Sequence, residues 1–504
     1  MSRLFVLIAS LTLAAPVMAQ EPSPGERLPV VKHVLPNGMT FLFLRRAGAP
    51  TVSFMTYFRA GAVDEWTGIS GTAHLFEHML FKGTRSIGTK NLTSEEALFP
   101  VIDAVADSFT AEFRKGALTD SVRLERLRSR LKQLEDSARG FVVSNELDRI
   151  LTENGAVGLN ASTSADVTNY YFSLPANRAQ LWFVLESDRL RNPVLREFYS
   201  EREVVMEERR LRVETQPFGL LLEEYLAAAY RAHPYGRPVV GVASEIQAVS
   251  RRSALEYFRR YYGPNNAVVA VVGDINVDSM KTWATRYFAD IPPGEPHRPV
   301  VTQEPPQRGE RRIDVEYDAN PLVLIGYHVP GARHPDAPAL QVLSQLLTGG
   351  RTSRLYQRLV IRDRMATTIA SFQFPGSLYP RMFTFQGVPI APHTTVELEK
   401  AVYEEIDRVQ REPPTAEELQ RVRNQVEAGS FVRLQSNIGL ASQLASSEAL
   451  WYDWRQTFRD QAALTRVTAA DVQRVAKTYF TPTNRTVATL VRPPGSKPAS
   501  GGND

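Results

Sequence analysis

Two histidines and a glutamate lie close together in the segment "HLFEHMLFKG", residues 74 to 83. His74 and His78 are four positions apart, and Glu77 directly precedes the second histidine. On a helix, positions four apart lie on the same face, so the two imidazoles could approach one metal ion. Zinc binds nitrogen and oxygen ligands of this kind, and H-x-x-E-H reverses the zinc-binding pattern H-E-x-x-H. The alternative is a buried helix with two structural histidines, for which Glu77 is the partner.

A catalytic zinc ion needs a third protein ligand and an open position for water. The segment "EREVVMEE" places Glu201 and Glu208 two helical turns apart, and therefore on one face. Spacing alone does not choose between Glu207 and Glu208 as the third ligand. Such a charged run is also the usual composition of a solvated helix surface. The chain has no cysteine, so any metal site must use histidine and carboxylate ligands.

Composition limits the class of protein. The chain has 504 residues, which is too long for one compact core and predicts several domains or a repeated unit.

Residues 1–19 are predicted to form a signal peptide, because they contain Arg3, a short apolar run and small residues. A signal peptide implies export, to the periplasm if the source is a Gram-negative bacterium. No later segment predicts a membrane span. The net charge of +4 is spread along the chain, which argues against a nucleic-acid partner.

The segments around the motif predict an α+β fold that positions these side chains. A strand is expected for "TVSFMTYFRAG", followed by a helix that carries the motif, with Ser70 as its N-cap and Gly83 as its stop signal. "LNASTSADVTNYYFSLP" predicts a strand pair, and "NNAVVAVVGDI" predicts a buried strand. Residues 93–149 are charged with apolar residues at helical spacing, which predicts an amphipathic helical insertion. The insertion is expected to be either an arm that binds a partner or a passive extension, and the sequence does not choose between these two roles.

The second half of the chain repeats the pattern of the first. Residues 291–312 are rich in proline, glycine and charge and predict a linker. Beyond them, "NPLVLIGYHVPG" and "APALQVLSQLLTGG" restart the order strand, glycine, helix. Three residues without metal-ligand side chains lie opposite His74, Glu77 and His78 in this repeat: Gln341, Ser344 and Gln345. The sequence therefore predicts an N-terminal domain over residues 20–290, a C-terminal domain over 313–492 and a disordered tail over 493–504.

Five motifs, in their order along the chain, resemble the pitrilysin, or insulinase, family of zinc metallopeptidases: "HLFEHMLFKGT", "NASTSADVTNYY", "EREVVMEE", "PYGRPVVG" and "YYGPNNAVVAVVGDI". The resemblance spans nearly all of the chain after the signal peptide. It implies two homologous α+β domains, each a mixed or antiparallel sheet covered by helices, joined by a linker in a clam-shell arrangement. It also implies one Zn²⁺ per chain, bound by His74, His78 and Glu208.

The same resemblance implies the roles of further residues. Glu77 would be the general base, and Glu201 would support a ligand from behind. Asn160, Ala161 and Ser162 would pair with the main chain of a bound peptide, although an ordinary edge strand is the other interpretation. The function implied is that of an exported zinc metalloendopeptidase that cleaves peptides or unfolded segments.

The chain departs from the family in its second half. Active relatives place an Arg and a Tyr there, seven residues apart, to stabilise the developing oxyanion. This chain has Val360 and Thr367 instead, and neither Arg362 nor Arg364 has a Tyr at that distance. We therefore expect a heterodimer with a paralogous subunit that carries the Arg/Tyr pair; a homodimer with other oxyanion donors is the alternative.

Two rival functions are weighed against the peptidase. A non-catalytic scaffold subunit of an envelope complex is the first rival, and the completeness of the motif set favours the enzyme over it. Zinc-dependent hydrolysis of a bond other than a peptide bond would need a different fold around the same ligands.

Overall fold

A computed structural model describes residues 24–493 of the chain. The predicted signal peptide and residues 494–504 of the predicted tail lie outside the described residues. Two mixed β-sheets covered by helices form the structure, so the predicted α+β class is confirmed. Among residues 24–493, no helix is both long enough and apolar enough to cross a bilayer.

Within residues 24–493, eleven strands form the two sheets. The first sheet contains β1 (Val31–Val34), β2 (Thr40–Arg45), β3 (Thr51–Phe58), β4 (Val157–Thr163), β5 (Thr168–Pro175) and β6 (Ala267–Gly273). The second contains β7 (Arg311–Glu316), β8 (Leu322–Val329), β9 (Ala366–Phe374), β10 (Arg381–Pro389) and β11 (Arg485–Val491). Their spatial orders are β1-β2-β6-β3-β5-β4 and β7-β11-β8-β10-β9.

The two sheets share one topology. When β1 is left aside, the order β2-β6-β3-β5-β4 matches β7-β11-β8-β10-β9 strand for strand. The first pair of each set is parallel, and all the other pairs are antiparallel. This correspondence confirms the duplicated α+β unit. The limits of the two domains stay a prediction.

Helices cover both sheets. In the first half they are α1 (Thr72–Met79), α2 (Leu92–Glu96), α3 (Phe99–Phe113), α4 (Ser121–Arg139), α5 (Glu146–Glu153), α6 (Ala179–Arg191), α7 (Phe198–Arg209), α8 (Pro217–Ala229), α9 (Ala243–Ala248), α10 (Arg251–Tyr261) and α11 (Val277–Phe288). In the second half they are α12 (Ala337–Thr348), α13 (Thr395–Arg411), α14 (Ala416–Gln435), α15 (Asn437–Trp451), α16 (Gln456–Arg466) and α17 (Ala469–Tyr479). Single π-helical segments follow α7 (Arg210–Glu214) and precede β9 (Tyr356–Arg362).

Each half of the chain contributes a helix that covers the sheet of the other half. One face of the first sheet packs on its own helices α1, α6, α10 and α11, and the other face packs on α15 of the second half. In the same way, α8 of the first half covers the second sheet. Strands covered on both faces read as continuous apolar runs, which explains why β6 has the sequence "AVVAVVG" with no polar alternation. The halves therefore share hydrophobic cores. A clam-shell opening between them stays a prediction.

The predicted insertion segment, residues 93–149, is largely helical. Its longest helix, α4, begins after Asp120, whose side chain accepts two backbone N–H groups of the first turn. Leu131 and Leu134 on one face of α4 are buried against the core of the first domain. The predicted linker contains no helix or strand over residues 291–310.

Candidate metal centre

The helix that carries the motif is held by an unusual N-terminal turn. It begins after Gly71, whose φ is +86°, and a side chain there would collide with the carbonyl oxygen of Val240. Glu65 caps the helix from the preceding loop: Oε2 accepts the N–H of Gly71 at 3.0 Å and Oε1 accepts the N–H of Ala73 at 2.8 Å. Burial raises the pKa of the Glu65 carboxyl to about 8. The start of α1 is therefore fixed by a buried carboxyl group.

Two expected boundaries of this helix are wrong. Ser70 does not cap α1; its hydroxyl accepts the N–H of Val242 at 2.9 Å, and so ties α1 to a neighbouring loop. The helix ends at Met79, four residues before Gly83, which takes a left-handed conformation in the following turn.

His74, His78 and Glu208 come together between α1 and α7. Glu208 Oε2 lies 3.5 Å from His74 Nε2 and 3.3 Å from His78 Nε2. All three ligand atoms lie within 4.8 Å of one another, and no other group of this kind is found in the part of the chain that the structure describes. Glu207, the alternative third ligand, pairs with Arg210 at the surface of α7.

This geometry fits a zinc ion. Tetrahedral ligands about 2.0–2.1 Å from zinc lie about 3.3 Å from one another. The two distances from Glu208 to the imidazoles are close to that value, and two imidazoles with one carboxylate form a donor set that zinc accepts. The residues present can therefore supply three ligands to one zinc ion.

Glu201 lies behind His78. Its Oε1 is 3.0 Å from His78 Nδ1, and its Oε2 is 2.6 Å from Lys82 Nζ. Because a carboxylate accepts, Nδ1 is the protonated nitrogen, and Nε2 faces Glu208. Burial opposes the charged imidazole, but Glu201, Glu208 and Glu77 together raise the pKa of His78. Burial likewise opposes ionisation of Glu201, but His78 and Lys82 lower its pKa.

The second imidazole has a different environment. Burial lowers the pKa of His74 to about 4, and the charge of Glu208 opposes this shift only in part. Its Nδ1 is buried and has no hydrogen-bond partner within residues 24–493. At neutral pH, His74 is therefore uncharged, whereas His78 is biased towards its charged form.

A cavity of about 1000 Å³ opens beside the three candidate ligands. His74 and Glu77 line it, and so do residues 160–162 on β4. This strand lies at the edge of its sheet and pairs only with β5 among the described strands. Phe374 and Pro375 of the second domain also line the cavity, so both domains contribute to its walls.

The residues at the positions of the expected Arg/Tyr pair do not reach this cavity. Val360 packs against the core of the second domain. Thr367 is exposed at the start of β9 and donates a hydrogen bond to the carbonyl oxygen of Val388. Arg362 and Arg364 are exposed and do not line the cavity either.

Three residues that contact the site were missed by the sequence analysis. Lys82 follows His78 by four positions, but it lies beyond the end of α1 and contacts Glu201. Arg212 follows Glu208 by four positions, a spacing that places side chains close together on a helix. Arg212 Nη2 lies 2.7 Å from Glu208 Oε1. Glu65 had no such signal, because it reaches α1 through a loop rather than along a helix face.

Two family models match the chain. The model described as "Insulinase (Peptidase family M16)" matches residues 41–111 and 142–242, which include every site residue proposed from the sequence. The model described as "Peptidase M16 inactive domain" matches residues 248–426. The unmatched residues 112–141 lie within the predicted helical insertion.

Individual proteins agree with these matches. The zinc protease PqqE of Helicobacter pylori is 27% identical over 443 residues, which cover 86% of each chain. The crystal structure of a protease from Helicobacter pylori has a TM-score of 0.77 at 25% identity and covers 92% of this chain and 99% of that one. The periplasmic protease PqqL from Escherichia coli has a TM-score of 0.66 at 16% identity, covering 92% of this chain and 47% of that one. The chain therefore belongs to the insulinase family of zinc proteases, peptidase family M16.

Proposed function

We propose that the protein is a zinc metallopeptidase that hydrolyses peptide bonds in peptides or unfolded segments. The observation that carries this proposal is the cluster of His74, His78 and Glu208, whose spacing fits zinc, with Glu77 beside it in an open cavity. A non-catalytic scaffold subunit would not need such a set of ligands, so the cluster favours the enzyme.

The family resemblance suggests a role for each site residue, and its position in the structure supports that role. His74, His78 and Glu208 would hold one zinc ion per chain. When bound, zinc supplies a Lewis acid that polarises the substrate carbonyl and acidifies water. Glu77 accepts a proton from the attacking water and returns one to the leaving amine. Glu201 orients His78 by accepting the Nδ1 proton.

The substrate would bind along the edge of the first sheet. We assign the pairing to Asn160, Ala161 and Ser162, because β4 is an edge strand that contacts α1 and lines the cavity. Pairing through the main chain requires an extended segment and reads few side chains. The substrates would therefore be peptides and unfolded stretches rather than folded proteins.

Replacement of Glu77 by glutamine tests the enzyme. The variant keeps all three ligands, so we expect the zinc content of the wild type but at least about a hundredfold slower peptide cleavage. Glu207→Gln, beside the ligand on α7, is the matched control and should keep both properties. Equal cleavage by the Glu77 variant and the wild type would contradict the role of Glu77.

The oxyanion donors would come from a second subunit, because Val360 and Thr367 replace the expected pair. We propose a heterodimer with a paralogous chain that carries Arg and Tyr seven residues apart. Zinc binding without cleavage by the isolated chain, with cleavage restored when the paralogue is added, would support a divided active site. Cleavage by the isolated chain would contradict it and would favour a homodimer or another donor.

We also propose that the chain is exported, to the periplasm in a Gram-negative source. The pattern of residues 1–19 supports export, and the structural relative PqqL is described as periplasmic. Cell fractionation of the full chain and of a chain that lacks residues 1–19 tests this. Equal distribution of the two proteins would contradict it.

A further inference from the structure

Segment 112–141 lies outside the match to the family model, yet its helix α4 touches the start of α7. We propose that α4 is a brace for the metal centre, with Arg139 and Glu135 as positioning residues that act on the start of α7. This inference rests on the metal site of the proposed function. It concerns how a ligand is held in place.

Two side chains of α4 hold the residue that precedes Glu201. Arg139 Nη2 donates a hydrogen bond to Ser200 Oγ at 3.1 Å, and Ser200 Oγ donates to Glu135 Oε1 at 3.2 Å. Arg139 Nε also lies 3.5 Å from Glu197 Oε1, directly before the first residue of α7. These contacts fix both the entry to α7 and the backbone next to Glu201.

A chain of ion pairs continues from there to a metal ligand. Lys82 Nζ lies 3.4 Å from Glu197 Oε2 and 2.6 Å from Glu201 Oε2. Glu201 Oε1 contacts His78 Nδ1 at 3.0 Å. The charges alternate in sign along the chain, so each side chain orients the next. The Arg139 side chain is 51% exposed, whereas those of Glu197, Lys82 and Glu201 are 18%, 27% and 11% exposed, so only the outer end of the chain is open to solvent.

The backbone of Glu197 shows that this junction is constrained. Its φ is +56°, a left-handed conformation that is uncommon for a residue other than glycine. Such conformations persist where surrounding contacts hold them. The carboxylate of Glu197 lies between Arg139 and Lys82, so the brace acts where the direction of α7 is set.

Polar contacts join the C-terminal part of α4 to the start of α7. Leu131 and Leu134 anchor α4 in the core of the first domain. Between α4 and α7 lies a cavity of about 350 Å³, whose lining includes Glu135, Arg139 and Ser200. Loss of the Arg139 charge should therefore loosen the link to α7 and leave the anchorage of α4 unchanged.

The variant Arg139→Gln in the full chain tests the brace. Groups that orient a metal ligand directly change affinity 10–100-fold, and Arg139 stands further out, so we expect about three- to tenfold weaker zinc binding. The measurement is competition for zinc against a chelator, with zinc as the only added ligand. Arg139→Lys should recover part of the loss, because it keeps a positive charge opposite Glu197. Arg126→Gln, an exposed arginine on the same helix, is the matched control and should bind zinc like the wild type.

The outcomes separate the brace from the proposed function. Equal zinc affinity in wild type, Arg139→Gln and Arg126→Gln would overturn the brace and leave the metallopeptidase intact. An equal loss in both variants would also overturn it, because the effect would then be one of charge alone. A lowered unfolding midpoint of zinc-free Arg139→Gln would indicate general destabilisation and overturn it as well. If the wild type binds no zinc, the proposed function itself fails.

Discussion

Replacement of Glu201 by glutamine should weaken zinc binding although no ligand is changed. The carboxylate of Glu201 accepts from His78 Nδ1 at 3.0 Å and from Lys82 Nζ at 2.6 Å. Glutamine has a carbonyl oxygen in place of one carboxylate oxygen and an NH₂ group in place of the other, so it keeps an acceptor for only one of these two donors. Its amide group would also face a second donor. His78 would therefore lose part of the contact that orients Nε2 towards the metal.

The size of the effect follows from two opposed contributions. Loss of a partner behind a metal-bound histidine costs about 10–100-fold in affinity, or roughly 1.4–2.7 kcal/mol. The Glu201 side chain is only 11% exposed, so solvent does little to reduce this loss of zinc affinity. The same carboxylate raises the pKa of His78, however, so its removal also weakens proton competition for the ligand. We expect about a tenfold loss at neutral pH and a larger loss at about pH 9, where protons compete less with zinc for His78.

Competition against a chelator at both pH values measures these affinities. Glu203→Gln is the control, since Glu203 lies on the same helix with a side chain that is 67% exposed. Unchanged affinity of the Glu201 variant at about pH 9 would refute the supporting role. A loss that is greater at neutral pH than at high pH would refute the account of His78 titration.

Two further predictions concern protons and stability. Zinc binding at about pH 6 should release about one proton, from His78. The reason is that the pKa of His78 is raised, whereas burial lowers the pKa of His74 to about 4. The affinity for zinc should therefore rise with pH until His78 is deprotonated. Calorimetry in two buffers of different ionisation enthalpy measures this, and release of two protons would contradict it. Arg196→Met should lower the free energy of unfolding by about 3–5 kcal/mol, because Arg196 and Glu95 form a buried pair with both side chains 1% exposed. In urea denaturation, Arg85→Met, which removes an exposed pair, should cost less than about 1 kcal/mol, and equal losses in the two variants would refute the reasoning.

The two candidate histidine ligands could be proposed from the sequence because their geometry is local. His74 and His78 lie one helical turn apart on α1, and the two-turn spacing of Glu201 and Glu208 on α7 follows from the same periodicity. The buried strand β6 was equally accessible, since seven residues without polar alternation indicate burial on both faces. The choice between Glu207 and Glu208 was not accessible from spacing, because the sequence of α7 alone does not show which of its faces packs against α1; the family resemblance selected Glu208.

Other features depend on contacts between distant parts of the chain. The cap of α1 is Glu65, which no N-cap rule would select, and the expected cap Ser70 bonds to Val242 instead. The exchange of α8 and α15 between the two sheets left no periodic signal either. Each of these helices is apolar enough to be buried, but the sequence of a helix does not show which sheet it will pack against.

Because of this exchange, the second domain contributes to the cavity beside the proposed metal site. Helix α8 lies on the second sheet, yet Phe218, Leu222 and Leu226 on it line the cavity beside the proposed metal site. The shape of that cavity therefore depends on how the second sheet holds α8, and Phe374 of that sheet closes part of its wall directly. The second domain has Gln341 and Gln345 at the positions that correspond to His74 and His78, yet it forms part of the cavity wall. Its contribution is made through packing, so it needs no metal of its own.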